Sequence, residues 1–104
     1  MKKEIEELLF QVIASVGTAK SLYIEAIRES KENNFEKAKE KVEEANIYFL
    51  KGHESHGKLI QMDAKDSSVP FSLLLVHAED LLMSADTFKI LSDEFIDLYK
   101  KIYK

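Results

Sequence analysis

A chain of 104 residues is near the usual size of one domain, so everything it does has to fit on one small core. With three Gly and one Pro among 45% hydrophobic and 33% charged residues, the composition excludes turn-rich sandwiches and barrels and excludes disorder, leaving long helices with few connections. The absence of cysteine removes disulfides, thiolate zinc sites and cysteine nucleophiles, and a net charge of −4 removes the broad positive field that nucleic-acid binding needs.

Ile5, Leu8, Val12, Val16, Ala19, Tyr23 and Ala26 recur at spacings of three and four, which predicts a first helix over residues 3–31 with these side chains on one face. Glu4, Glu6 and Glu7 complement the positive end of its dipole and argue against a signal peptide. The longest uncharged stretches, 8–19 and 67–78, fall short of the roughly 18–20 apolar residues that cross a bilayer, so the expected location is the cytoplasm. Asn33-Asn34 then makes a tight turn, since Asn tolerates the left-handed backbone that ends one helix and its side chain caps the next.

A second helix is expected over residues 35–62. Phe35, Ala38, Val42, Ala45, Phe49, Gly52, His56 and Leu59 alternate steps of three and four, a coiled-coil-like seam in which Gly52 permits close approach of a neighbouring helix. His53-Glu54-Ser55-His56 is one residue short of the helical zinc motif; an i, i+3 pair can still share a metal, but an ordinary seam and edge pair is the plainer reading. Ser67-Ser68-Val69-Pro70 then reads as a cap with Pro in the first turn of a third helix over residues 69–103.

That third helix carries two apolar faces. Phe71, Leu74, Ala78, Leu81, Ala85, Phe88, Phe95, Tyr99 and Ile102 form a seam toward the other helices. Leu73, Val76, Met83, Ile90, Leu91 and Leu98 form a separate stripe with Asp80 and Thr87 in its middle. A three-helix unit cannot bury both, so the stripe predicts self-association. Asp80 would then meet its symmetry copies, where a hard divalent ion or shared protons would neutralise the cluster. His77 falls at about 240° from Phe71 on the helical wheel, between the two faces, where an imidazole at a subunit boundary is either an interface histidine or a phosphoryl acceptor.

The run Ser72-Leu73-Leu74-Leu75-Val76-His77-Ala78-Glu79-Asp80-Leu81-Leu82-Met83-Ser84 resembles the active segment of enzyme IIA of the lactose/cellobiose (N,N′-diacetylchitobiose) family of the sugar phosphotransferase system, where the pattern is close to Val-His-Ala-Gln-Asp-His-Leu-Met-Thr. Upstream, Gly17-Thr18-Ala19-Lys20-Ser21, the Asn33-Asn34 turn, His53 and the segment from Leu59 to Ala64 extend the resemblance over nearly the whole chain. It implies an all-α fold, an antiparallel three-helix bundle of one domain over residues 1–104, assembled as a homotrimer. It further implies a phosphocarrier whose His77 accepts a phosphoryl group from the histidine-containing phosphocarrier protein and passes it to enzyme IIB, for uptake of a lactose-, cellobiose- or chitobiose-type disaccharide. Contact with the membrane would be peripheral, through IIB and IIC only, and Asp80 would hold a divalent metal, Mg2+ first, on the trimer axis.

Three positions depart from the family pattern: Glu79 replaces Gln, Leu81 replaces the second His, and His56 replaces the Gln three residues after His53. Leu81 leaves fewer donors beside a transferred phosphoryl group, so support is expected from Ser84 and from His53 or His56. Glu79 adds a negative charge, and because residues two apart on a helix do not face each other, it would act on His77 mainly across a subunit contact. These departures keep a second reading in play, a trimeric interaction or regulatory module derived from the same family that has lost efficient transfer.

Overall fold

Helices α1 (Lys3–Lys31), α2 (Phe35–Asp66) and α3 (Leu73–Ile102) make up almost the whole of the computed structural model, which describes residues 1–104. They run antiparallel in a rod 54 Å long and about 20 Å across. No helix is long and apolar enough to cross a membrane.

Every residue of the face predicted for α1 is buried, and Leu9, Leu22 and Ser30 are buried beside it. The extra residues widen the apolar stripe so that α1 packs against both neighbours, whereas α2 and α3 touch each other far less. α1 ends as the asparagines suggest: Asn33 is left-handed at φ 64°, its N–H donates to Ser30 O, and the Asn34 N–H donates to Glu29 O at 2.9 Å, closing a Schellman turn. Asn34, expected also to cap α2, does not do so with its side chain. Its amide instead turns back toward Glu29 Oε1 at 3.4 Å, leaving the first turn of α2 to other solvation.

Along α2, Ala38, Ala45, Gly52 and Leu59 are buried and the intervening seam residues half-buried. A methyl group built on Gly52 would strike Val16 Cγ1 and lie 3.4 Å from Ser15 Cβ, so at the seam glycine the α1 and α2 backbones come too close for a larger side chain. One turn and a half away, the buried Tyr23 phenol donates to Asn46 Oδ1 at 2.5 Å. Burial, helped by the negative charges of Asp93 and Asp86, pushes that phenol up to about 12.

The boundary between α2 and α3 differs from the sequence expectation. α2 continues one turn beyond residue 62 because the polar segment after Met62 loses burial without losing helicity; it ends at Ser67, left-handed at φ 55°, whose N–H donates to Asp63 O. α3 starts at Leu73, not Val69. Ser72 is its cap, with Oγ accepting from the Leu75 N–H at 3.1 Å, while Pro70 lies in the irregular linker. Phe71, placed on the seam by spacing, therefore precedes the helix and is 86% exposed.

The buried side of α3 is Ala78, Leu82, Ala85 and Ser92. It is rotated from the predicted seam toward Leu82, because α3 docks chiefly on α1; Phe95 and Ile102, read on the seam, are exposed in the single subunit. Tyr103 closes the far end, donating to Lys31 O and meeting Phe35 edge to face at 6.0 Å.

Gly52→Ala should destabilise the fold by about 1–3 kcal/mol through overpacking against the stiff Val16 side chain, partly offset by better helix propensity. Gly57→Ala, where an added methyl meets nothing within 4 Å, should stabilise by about 0.5–1 kcal/mol; denaturant unfolding in which both variants gain stability would contradict the close approach. The Tyr23 phenol, with its folded value above its unfolded one, contributes stability that is present below pH 10 and lost as the pH climbs toward 12. Unfolding of wild type should thus ease over that range more steeply than unfolding of Tyr23→Phe, and parallel curves would remove the effect.

Candidate functional site

His77 follows the first turn of α3 and its ring is exposed. It borders the second stripe, whose Leu73, Val76, Met83, Ile90, Leu91 and Leu98 are all between 38% and 84% exposed in the single subunit. Thr87 and Asp80 are exposed within that stripe, Asp80 one turn on from His77. The two-faced character read from the sequence is thus present: one face of α3 is occupied by α1 and the other by nothing in this chain.

The candidate supporting residues separate into two groups. Leu81 and Ser84, half-buried, share the side of α3 on which His77 lies. His53 and His56 stand on α2. His53 is exposed and its ring leans toward that of Phe49, with centroids 6.2 Å apart. The His56 side chain is only 14% exposed, and its Nε2 lies 2.6 Å from Oε1 of Glu79. A carboxylate can only accept, so the imidazole Nε2–H donates and the pair ties α2 to α3.

This pair was not foreseen as a pair, although both residues are departures from the family pattern. Glu79 has a partner within its own subunit, whereas its position two residues from His77 points to action mainly across a subunit contact. The signal was available: His56 continues the seam by which α2 faces its neighbours, and Glu79 lies on the flank of α3 opposite His77, about 160° away on the wheel. Beside the pair, Leu59, Ile60, Asp63, Val69 and Leu75 line a groove of about 280 Å³ with Glu79 at its edge.

No three His, Asp or Glu side chains converge within the chain as a metal site. The zinc reading of His53 and His56 has no third ligand, and His56 is already bound to Glu79. Asp80 alone offers too few oxygen donors for Mg2+, which would need ligands from other copies.

The family described as "PTS system, Lactose/Cellobiose specific IIA subunit" matches residues 7–100. The chain is 38% identical over 102 residues to the lichenan-specific phosphotransferase enzyme IIA component of Bacillus subtilis, covering 98% of this chain and 93% of that one. It is 33% identical over 100 residues to the N,N′-diacetylchitobiose-specific EIIA component of Escherichia coli, covering 96% and 86%. Among solved structures, the cellobiose-specific enzyme IIA of Bacillus anthracis superposes with a TM-score of 0.93 at 38% identity, covering 99% of this chain and 94% of that one. IIA(chitobiose) from its complex with HPr in the Escherichia coli phosphotransferase system gives 0.83 at 31% identity, covering 99% and 100%. The all-helical fold, the position of His77 and these likenesses over almost the full length lead to one conclusion: the chain belongs to the lactose/cellobiose-specific enzyme IIA family of the sugar phosphotransferase system.

Proposed function

We propose that this chain is a phosphocarrier in which His77 takes a phosphoryl group from the phosphorylated histidine-containing phosphocarrier protein and gives it to a cysteine of enzyme IIB. The observation that carries this reading is an exposed histidine, at the motif position of the family, on the border of an uncovered apolar face. In the first transfer the lone pair of a neutral His77 nitrogen, Nε2 as the outer one, attacks phosphorus. The N–P bond of the donor histidine breaks, and the donor imidazole keeps the electron pair and takes up a proton. In the second, a thiolate displaces His77 from phosphorus and His77 returns to its neutral form. An exposed ring suits this chemistry because two proteins must reach the same nitrogen in turn. The similar IIA(chitobiose) structure was determined bound to HPr, which supports the same class of donor here. A lactose-, cellobiose- or chitobiose-type disaccharide remains the sugar class served.

The assembly proposed is a homotrimer packed through the second stripe of α3. Burying its side chains at up to about 1.5–3 kcal/mol each would make assembly hard to separate from folding. Asp80 of the three copies would meet at the axis, with a divalent ion or shared protons between the carboxyls.

Incubation with phosphoenolpyruvate, enzyme I and the phosphocarrier protein should add one acid-labile phosphoryl group per wild-type chain, read by intact mass, and none to His77→Ala. Without any uptake by wild type the non-catalytic, regulatory reading replaces this one; equal uptake by His77→Ala moves the acceptor to another histidine. Sedimentation at micromolar concentration should give three chains per particle, and a well-folded monomer there would overturn the assembly. Asp80→Leu should keep or raise trimer stability, since replacing a buried ionic cluster by packed apolar groups is often neutral or favourable.

A further inference from the structure

The polar link between His56 and Glu79 is the one side-chain hydrogen bond between α2 and α3, and it lies beside the turn that carries His77. Its chemistry matters because of where the carboxylate stands. On α3, His77 and Glu79 lie on opposite flanks of the second stripe, separated along the axis by only about 3 Å. When copies of a helix pack around a common axis through such a stripe, one flank of each faces the other flank of the next. The His77 flank of one subunit therefore meets the Glu79 flank of its neighbour at nearly the same height. The Glu79 side chain is 46% exposed, and a carboxylate free to reach that boundary would confront the position where a doubly charged phosphoryl group must arrive.

We infer that His56 is a positioning residue for phosphoryl transfer: by donating to Glu79 Oε1 it holds that carboxylate on the α2 side and keeps its charge from the incoming phosphoryl group. This rests on the carrier reading and on the proposed assembly. Three features of the pair support it. The 2.6 Å separation fixes one carboxylate oxygen; the His56 side chain is only 14% exposed, packed between the helices; and Glu79, lining the groove, has no other hydrogen-bond partner. Released, Glu79 would be free to turn toward the boundary, where a unit charge several ångströms from the reacting phosphorus in a water-like dielectric slows attack about fivefold.

The test uses phosphoramidate, a small phosphoryl donor that needs no protein recognition: the imidazole nitrogen attacks phosphorus, the P–N bond breaks and ammonia leaves. Formation of phospho-His77 is followed by intact mass and peptide mapping in wild type, His56→Ala, His56→Gln and the double variant His56→Ala/Glu79→Gln. His56→Ala should react about fivefold more slowly at low salt, with the defect shrinking as ionic strength rises. His56→Gln, whose amide can still donate to Glu79, should recover most of the rate. The double variant should recover it as well, because with the charge gone nothing needs to be held. A purely structural role for His56 would leave the double variant as slow as His56→Ala and insensitive to salt, and either result overturns the inference. So does a His56→Ala rate equal to wild type. If wild type reacts with phosphoramidate but takes nothing from the phosphocarrier protein, the carrier reading fails while the same four rates still decide the role of His56. If His77 reacts with neither donor, both fall.

Discussion

The whole subunit hangs on α1. Because α2 and α3 touch little, the core is two contacts made by one helix, and Ile5, Leu8, Leu9, Val12 and Val16 join Leu59 of α2 and Ala78, Leu82 and Ala85 of α3 in one buried cluster. Gly52 lets α2 settle against Val16 on one side, while Ala78 and Ala85 let α3 settle on the other. Small residues at these contacts bring the backbones close, and the larger side chains of α1 fill what remains.

This arrangement decides what α3 can offer. A helix docked on one partner along one face keeps the rest of its circumference free, and α3 spends that freedom on an apolar stripe with His77 and Glu79 on its two flanks. Had α3 packed equally on α1 and α2, the Glu79 flank would have been covered. Instead a single hydrogen bond from His56 crosses the gap near the motif, and at the opposite end the rings of Phe35 and Tyr103 meet across it while Tyr103 also donates to Lys31 O of α1.

The sequence disclosed most clearly whatever depends on period. The α1 face, the α2 seam with its close glycine, and the second stripe of α3 were legible because burial in a helix repeats every three or four residues. It disclosed less where one polar atom decides. Ser67, Ser68 and Ser72 are equivalent to pattern reading, yet only Ser72 Oγ reaches the N–H of Leu75, and Asn34 has capping chemistry that it uses elsewhere. The position of Pro70 favoured an earlier start for α3, whereas the extended linker needed those residues to span from one helix to the next. His77 and Asp80 could be singled out from their wheel positions and from resemblance. The partnership of His56 with Glu79 could not be read from either helix alone, because it joins residues on two faces whose relative rotation is set by a third helix.

The polar interruption of the stripe by Asp80 and Thr87 has a consequence for alignment. Leu73, Val76, Asp80, Met83, Thr87 and Ile90 follow steps of three and four, so an uninterrupted apolar version would pack almost equally well after sliding by one heptad, about 10 Å. With a carboxylate in the row, a parallel copy slid by one heptad would set Asp80 against Leu73, stranding a charge in a dry contact. Among parallel arrangements, the one without offset gives each carboxylate its own kind at the same level. Asp80 would thus act as a vernier mark for the assembly, sacrificing some cohesion to fix the level at which the flanks bearing His77 and Glu79 come together.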